Sequence, residues 1–198
     1  MRKLALLLLF CAGCAGARAA EAPRTFQRAD SVAPLGQNVE AIISVLNIDG
    51  LVYENEPLVL ELKLANVSTS SVNLNNDLQP GRLVVIEILS EKGDYKRSPD
   101  VPLASDSLAG RRYAVVPSGV FIGRQYQIRP SDPLWQLPAG AYSVRVVYRN
   151  PHRFAVVSEH LEEGDVRRLG EKVVVQLQTG SSVSNIEQFR VMSGQRKR

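Results

Sequence analysis

The chain has 198 residues, 44% of them apolar and 22% charged, with 14 Gly and 11 Pro, which is ordinary globular usage and excludes collagen-like and fully disordered chains. Its formal charge is +4, but Arg2, Lys3 and Arg18 lie in an N-terminal leader, and without them 21 basic residues face 20 acids. Without the 193–198 tail, which adds Arg196, Lys197 and Arg198, the balance turns to −2, so a basic face for nucleic acid has no support in composition.

Residues 1–19 read as a secretory signal peptide: Arg2 and Lys3, an apolar run from Leu4 to Ala12, then small residues. The run is shorter than the roughly 18 apolar residues a spanning helix requires, and no later segment approaches that length, so no transmembrane helix is expected. Ala17-Arg18-Ala19 suits cleavage before Ala20, giving a soluble product. A second reading stays open. Cys11-Ala12-Gly13-Cys14 resembles the bacterial lipobox, which implies lipid attachment at Cys14, although Cys11 stands where that motif has a large aliphatic residue. Either way the expected location is exported: periplasmic or extracellular, or lipid-anchored in the bacterial envelope. No cysteine follows Cys14, so the folded part has no disulfide, and thiolate metal sites and cysteine nucleophiles are excluded there.

Residues 20–38 carry scattered charge with Pro23, Pro34 and Gly36 and no apolar period, which reads as a flexible leader. From residue 39 the period is two. Strands are expected at Val39–Ile48, Leu58–Leu64, Leu83–Leu89, Tyr113–Val116, Val120–Ile128, Tyr142–Tyr148, Val173–Gln178 and Ile186–Val191. Leu58, Leu60, Leu62 and Leu64 share one face, with Glu61 and Lys63 on the other. In Leu83–Leu89, Glu87 suggests a second face that meets water at least in part. The one helical candidate, Val157–Leu169, is interrupted by Gly164, at a cost of about 1 kcal/mol relative to Ala. Strands separated by turns without helices predict an all-β, antiparallel β-sandwich of about eight strands over residues 39–192, with long loops at Ser90–Arg112 and Arg149–Glu171.

Leu137-Pro138-Ala139-Gly140-Ala141-Tyr142, leading into a strand, resembles the tyrosine corner of immunoglobulin-like and fibronectin type III domains. That resemblance implies an immunoglobulin-like fold and a Tyr142 hydroxyl bonded to backbone a few residues upstream. Two departures stand out: the inter-sheet cysteine pair is missing, and Glu187 falls in phase with Phe189 and Val191, where a bulge or an edge would place it in water. The span also exceeds an immunoglobulin domain of about 100 residues.

No motif for a catalytic nucleophile, a phosphate loop or a zinc site occurs, and no catalytic residue, cofactor or metal ligand set is expected. His152 and His160 are the only histidines. His160 lies in the acidic run Glu159–Asp165, whose spacing matches no calcium loop and whose charge Arg167 and Arg168 offset. Trp135 reads as core packing over one end of the sandwich, and the Asn66-Val67-Ser68 sequon as chance in a bacterial chain. The expectation is a non-catalytic module that binds a protein or envelope component through its long loops. The alternative is a loop-presenting proteinase inhibitor, with Pro99-Asp100-Val101-Pro102-Leu103 as the stiff segment; an enzyme is the third class.

Overall fold

The computed structural model describes residues 26, 35, 38–100, 113–156, 166–169 and 172–196. Over them the fold is all-β and mostly antiparallel, broadly that of a β-sandwich. The leucine alternation becomes β3 (Leu58–Asn66), in which Leu58, Leu60, Leu62 and Leu64 are all fully buried. Each contributes roughly 1.5–3 kcal/mol by leaving water. β3 lies between β1 (Val39–Val45) and β8 (Phe121–Ile128), antiparallel to both.

The facing sheet is centred on β9 (Gly140–Asn150) and runs β2 (Leu51–Tyr53), β14 (Glu187–Met192), β9, β5 (Val84–Ser90), β6 (Tyr95–Arg97). β13 (Gly180–Val183) also pairs with β9. Tyr142, Val144, Val146 and Tyr148 of β9, Ile86 and Ile88 of β5, and Phe189 and Val191 of β14 join the β3 leucines in one core. β14 runs parallel to β2 and antiparallel to β9. The chain crosses from β1 to β2 through Asp49 and Gly50, both at positive φ (54° and 66°). At Gly50 a Cβ would lie 3.2 Å from the Gln188 carbonyl oxygen, so glycine suits both the turn and the close approach.

β13 and β14 follow β9 in different registers. Val183 pairs with Val147 and Glu187 with Val144, so Ser184, Asn185 and Ile186 oppose only Val146 and Arg145. One extra residue is a bulge. Beyond it Glu187 is in phase with Phe189 and Val191 yet only half-buried, and its Oε1 accepts a hydrogen bond from Asn185 Nδ2 at 2.6 Å.

Each of the eight expected strands has a counterpart, and six more strands appear among the described residues: β2, β6, β13, β4 (Val72–Asn75), β10 (Phe154–Val156) and β11 (Val166–Leu169). Each has only three or four residues, too few to display a period. The Arg149–Glu171 connection is therefore not all loop. β10 and β11 flank β12 (Lys172–Gln176), while β4 pairs with β7 (Tyr113–Val116). Val166–Leu169, expected to be helical, is extended because β12 satisfies its backbone, Val166 facing Val175; residues 157–165 lie outside the described residues. In the 20–38 leader, Leu35 is buried, its N–H donates to the Ser181 carbonyl (2.8 Å), and its own carbonyl accepts from Gln178 Nε2 (3.0 Å).

Candidate recognition surface

Where β9 ends, the buried Asn150 side chain holds both ends of the long connection. Its Nδ2 donates to the carbonyls of His152 (3.1 Å) and Gln178 (2.7 Å), and its Oδ1 accepts the His152 N–H (3.2 Å). The β10–β12–β11 sheet stands on this base. Ala155, Val175 and Leu177 form a small apolar cluster separate from the main core, and Tyr113 of β7 packs against it. Asn73 of β4 completes the junction: its Nδ2 donates to the Gln176 carbonyl (3.1 Å) and its carbonyl accepts the Gln178 N–H (2.8 Å). Tyr148 reaches the same region from β9, its hydroxyl donating to the Asn75 carbonyl (2.8 Å), and burial pushes its ionisation well above the usual phenol range. Tyr113, the residue that follows the Ser90–Arg112 connection, thus packs against Ala155 of the Arg149–Glu171 connection and against Val175 and Leu177 beyond it.

The outer face of the larger sheet meets water in part, at Gln188 and Arg190, but Glu87 itself does not. Glu87 and Arg145 are directly opposite across β5 and β9, and both are buried. Arg145 Nε donates to Glu87 Oε2 (2.6 Å), the Tyr95 hydroxyl donates to Glu87 Oε1 (2.7 Å), and the Phe26 ring lies 4.6 Å from the Arg145 guanidinium carbon. Burial pushes the Tyr95 phenol up to about 12, and Glu87 adds to this through its hydrogen bond and its charge, against Arg97 and Arg145. Opposite charge at one cross-strand pair was a usable signal, but only once the register of β5 on β9 is known. Further along this face the small residues Ala141 and Ser143 lie between Gln188 and Arg190 on one side and Leu89 and Glu91 on the other. The result is a groove of about 510 Å³ whose rim mixes Asp49 and Glu91 with Arg190 and so selects no single charge.

The Tyr142 hydroxyl donates to the Pro138 carbonyl, four residues upstream, at 2.6 Å, and its ring stacks on Phe189 with centroids 5.3 Å apart. Its pKa is raised by burial and then by Asp94. Trp135 is buried in the main core. Asn66 is buried too, and its Nδ2 donates to the carbonyls of Ser70 (2.7 Å) and Val116 (2.8 Å), so the sequon amide is committed to the fold. His152 is half-exposed, with Nε2 buried and unbonded among the described residues. Asp100 of the stiff segment pairs with Arg97 (3.1 Å). Cys14, His160 with its acidic run, and residues 101–103 lie outside the described residues. Among those described, no three His, Cys, Asp or Glu side chains group as a metal site, and no helix is long and apolar enough to cross a membrane. No protein-family model matches the chain, and no curated protein matches it.

Arg145→Met strands a buried carboxylate and is expected to lower stability by about 3–5 kcal/mol, whereas adding Glu87→Leu to it should recover most of that loss; urea denaturation of both variants measures the difference. Because folding raises the Tyr95 pKa, its contribution to stability is intact below pH 10 and falls as pH rises from 10 toward 12. Tyrosinate absorbance, taken as the difference from Tyr95→Phe, should show this late titration. Glu87→Gln should move it down part of the way, leaving the shift due to burial.

Proposed function

We propose that the chain is an exported, non-catalytic immunoglobulin-like module that binds a protein or cell-envelope component through its two long connections. Strand membership supports the fold part of this reading: β1, β3 and β8 in one sheet and β14, β9, β5 and β6 in the other resemble the two sheets of an immunoglobulin sandwich. In that frame the Tyr142–Pro138 bond takes the place of the tyrosine corner.

The observation that carries the binding part is the apolar cluster of Ala155, Val175 and Leu177, against which Tyr113, the residue that follows the Ser90–Arg112 connection, packs. The main core draws on the two principal sheets, on β4 and β7, and on connecting residues such as Leu78 and Trp135, and the described apolar cluster of the β10–β12–β11 sheet is separate from it. A structured outgrowth fixed at its base by Asn150 holds a surface rigidly, which limits the ordering cost of binding. Export rests on the 1–19 segment, with processing at Ala20 or acylation at Cys14 as its two forms.

Mass spectrometry of the native protein is expected to find a mature N-terminus at Ala20 or an acylated Cys14; a retained Met1 counts against export. For binding, a photo-reactive residue at Arg153 or Gln176 in cells should capture the same partner, while one at Glu40 on β1 should not. Equal capture from all three positions, or capture from none, overturns the assignment.

A further inference from the structure

The edge of a sheet presents unpaired N–H and C=O groups that can template another strand. Of the four edges of the two principal sheets, β2 and β6 are only three residues long. A third, β1, is sealed by side chains of the bulged strand. Ser182 Oγ accepts the Ala41 N–H (3.0 Å), Asn185 Oδ1 accepts the Ile43 N–H (2.8 Å), and Asn185 Nδ2 donates to the Ile43 carbonyl (3.0 Å).

β8 is the fourth edge and differs from the others. It has eight residues, and among the described residues nothing hydrogen-bonds to its outward backbone. The Asn66 N–H bonds the Val120 carbonyl (2.9 Å), and the ladder keeps that register from Ala65↔Phe121 to Leu58↔Ile128. Even-numbered residues of β8 therefore exchange bonds with β3, and Phe121, Gly123, Gln125 and Gln127 turn both backbone groups outward. All four are exposed. Gly123 carries no side chain to screen the backbone. Arg124, between two of these positions, is exposed and forms no ion pair with a described residue; the same holds for Arg129, just beyond the strand.

We propose that β8 is a docking strand that an extended segment of another protein joins in antiparallel β-augmentation, placing a carboxylate opposite Arg124. A second copy of this chain fits worse. Two β8 strands can pair antiparallel over residues 122–128, where Arg124 faces Tyr126 and gains no counter-charge, or over residues 121–127, where Arg124 lies directly opposite Arg124 in a non-hydrogen-bonded pair with Cα atoms about 4.5 Å apart. Like charges there oppose pairing, whereas an acidic residue is attracted. This surface uses neither long connection and is tested separately from them.

Two synthetic peptides of alternating valine and threonine, one with a central glutamate and its twin with a central lysine, are titrated into the full mature chain, with amide hydrogen exchange read by NMR. The amides of Phe121, Gly123, Gln125 and Gln127 should exchange freely alone and slow on binding, the glutamate peptide binding about fivefold tighter than its twin. Arg124→Glu should reverse that order. Gln125→Pro removes an outward N–H without touching the β3 ladder, so it should abolish binding while leaving the thermal midpoint nearly unchanged. The proposal is overturned if neither peptide slows these amides, if the two bind equally, or if Gln125→Pro binds like the parent. Slow exchange in the free chain that depends on its own concentration would assign the edge to a second copy and overturn it equally.

Discussion

A strand that stops or bends leaves peptide groups without partners, and burying one unpaired costs roughly 1–3 kcal/mol. This fold meets that constraint with asparagine side chains, whose amide offers the same donor and acceptor as a peptide. Asn47 Oδ1 accepts the Val59 N–H and its Nδ2 donates to the Pro57 carbonyl, closing the turn into β3. Asn66 does the same where β3 ends, Asn150 where β9 ends, and Asn185 inside the bulge. The apolar core supplies the driving force, but these four amides determine where each sheet can end and the chain can turn away.

The period of two was readable wherever one face of a strand was fully buried over many residues, as in β3, β9 and the apolar part of β5. It failed where strands were short: Tyr95–Arg97 and Phe154–Val156 hold three residues each and carry no pattern of their own. The burial of Glu87 was hidden for a different reason. Alternation reports that a position is polar; whether that polar group meets water or a counter-ion depends on strand register, and here the register brings it to Arg145 from far along the chain. Of the candidate surface, the two long connections were visible as surplus length beyond a compact sandwich. The packing of Tyr113 on the second of them was not, since it depends on Asn73 and Asn150 meeting the returning strand at Gln176 and Gln178. Tyr142 was legible because its partner lies only four residues away, at Pro138.

The Glu87–Arg145 pair is weak evidence for stability, because two ions have left water to form it. Its stronger effect is on pairing. A slip of one residue between β5 and β9 would turn Glu87 toward the leucines and leave Arg145 without its carboxylate. Misregistered sheets are thereby penalised more heavily than an all-valine face would penalise them. The Phe26 ring over the guanidinium extends the same arrangement into the N-terminal segment.

The parallel contact of β14 with β2 sets Arg190 beside Leu51. A ribosome must therefore release nearly all of the described polypeptide before the larger sheet can close. Contacts so distant along the chain form slowly, since loop closure precedes any reward from pairing. Until then the side of β9 that will receive β13 and β14 stands open, and a nascent molecule at that stage is a substrate for chaperones and proteases.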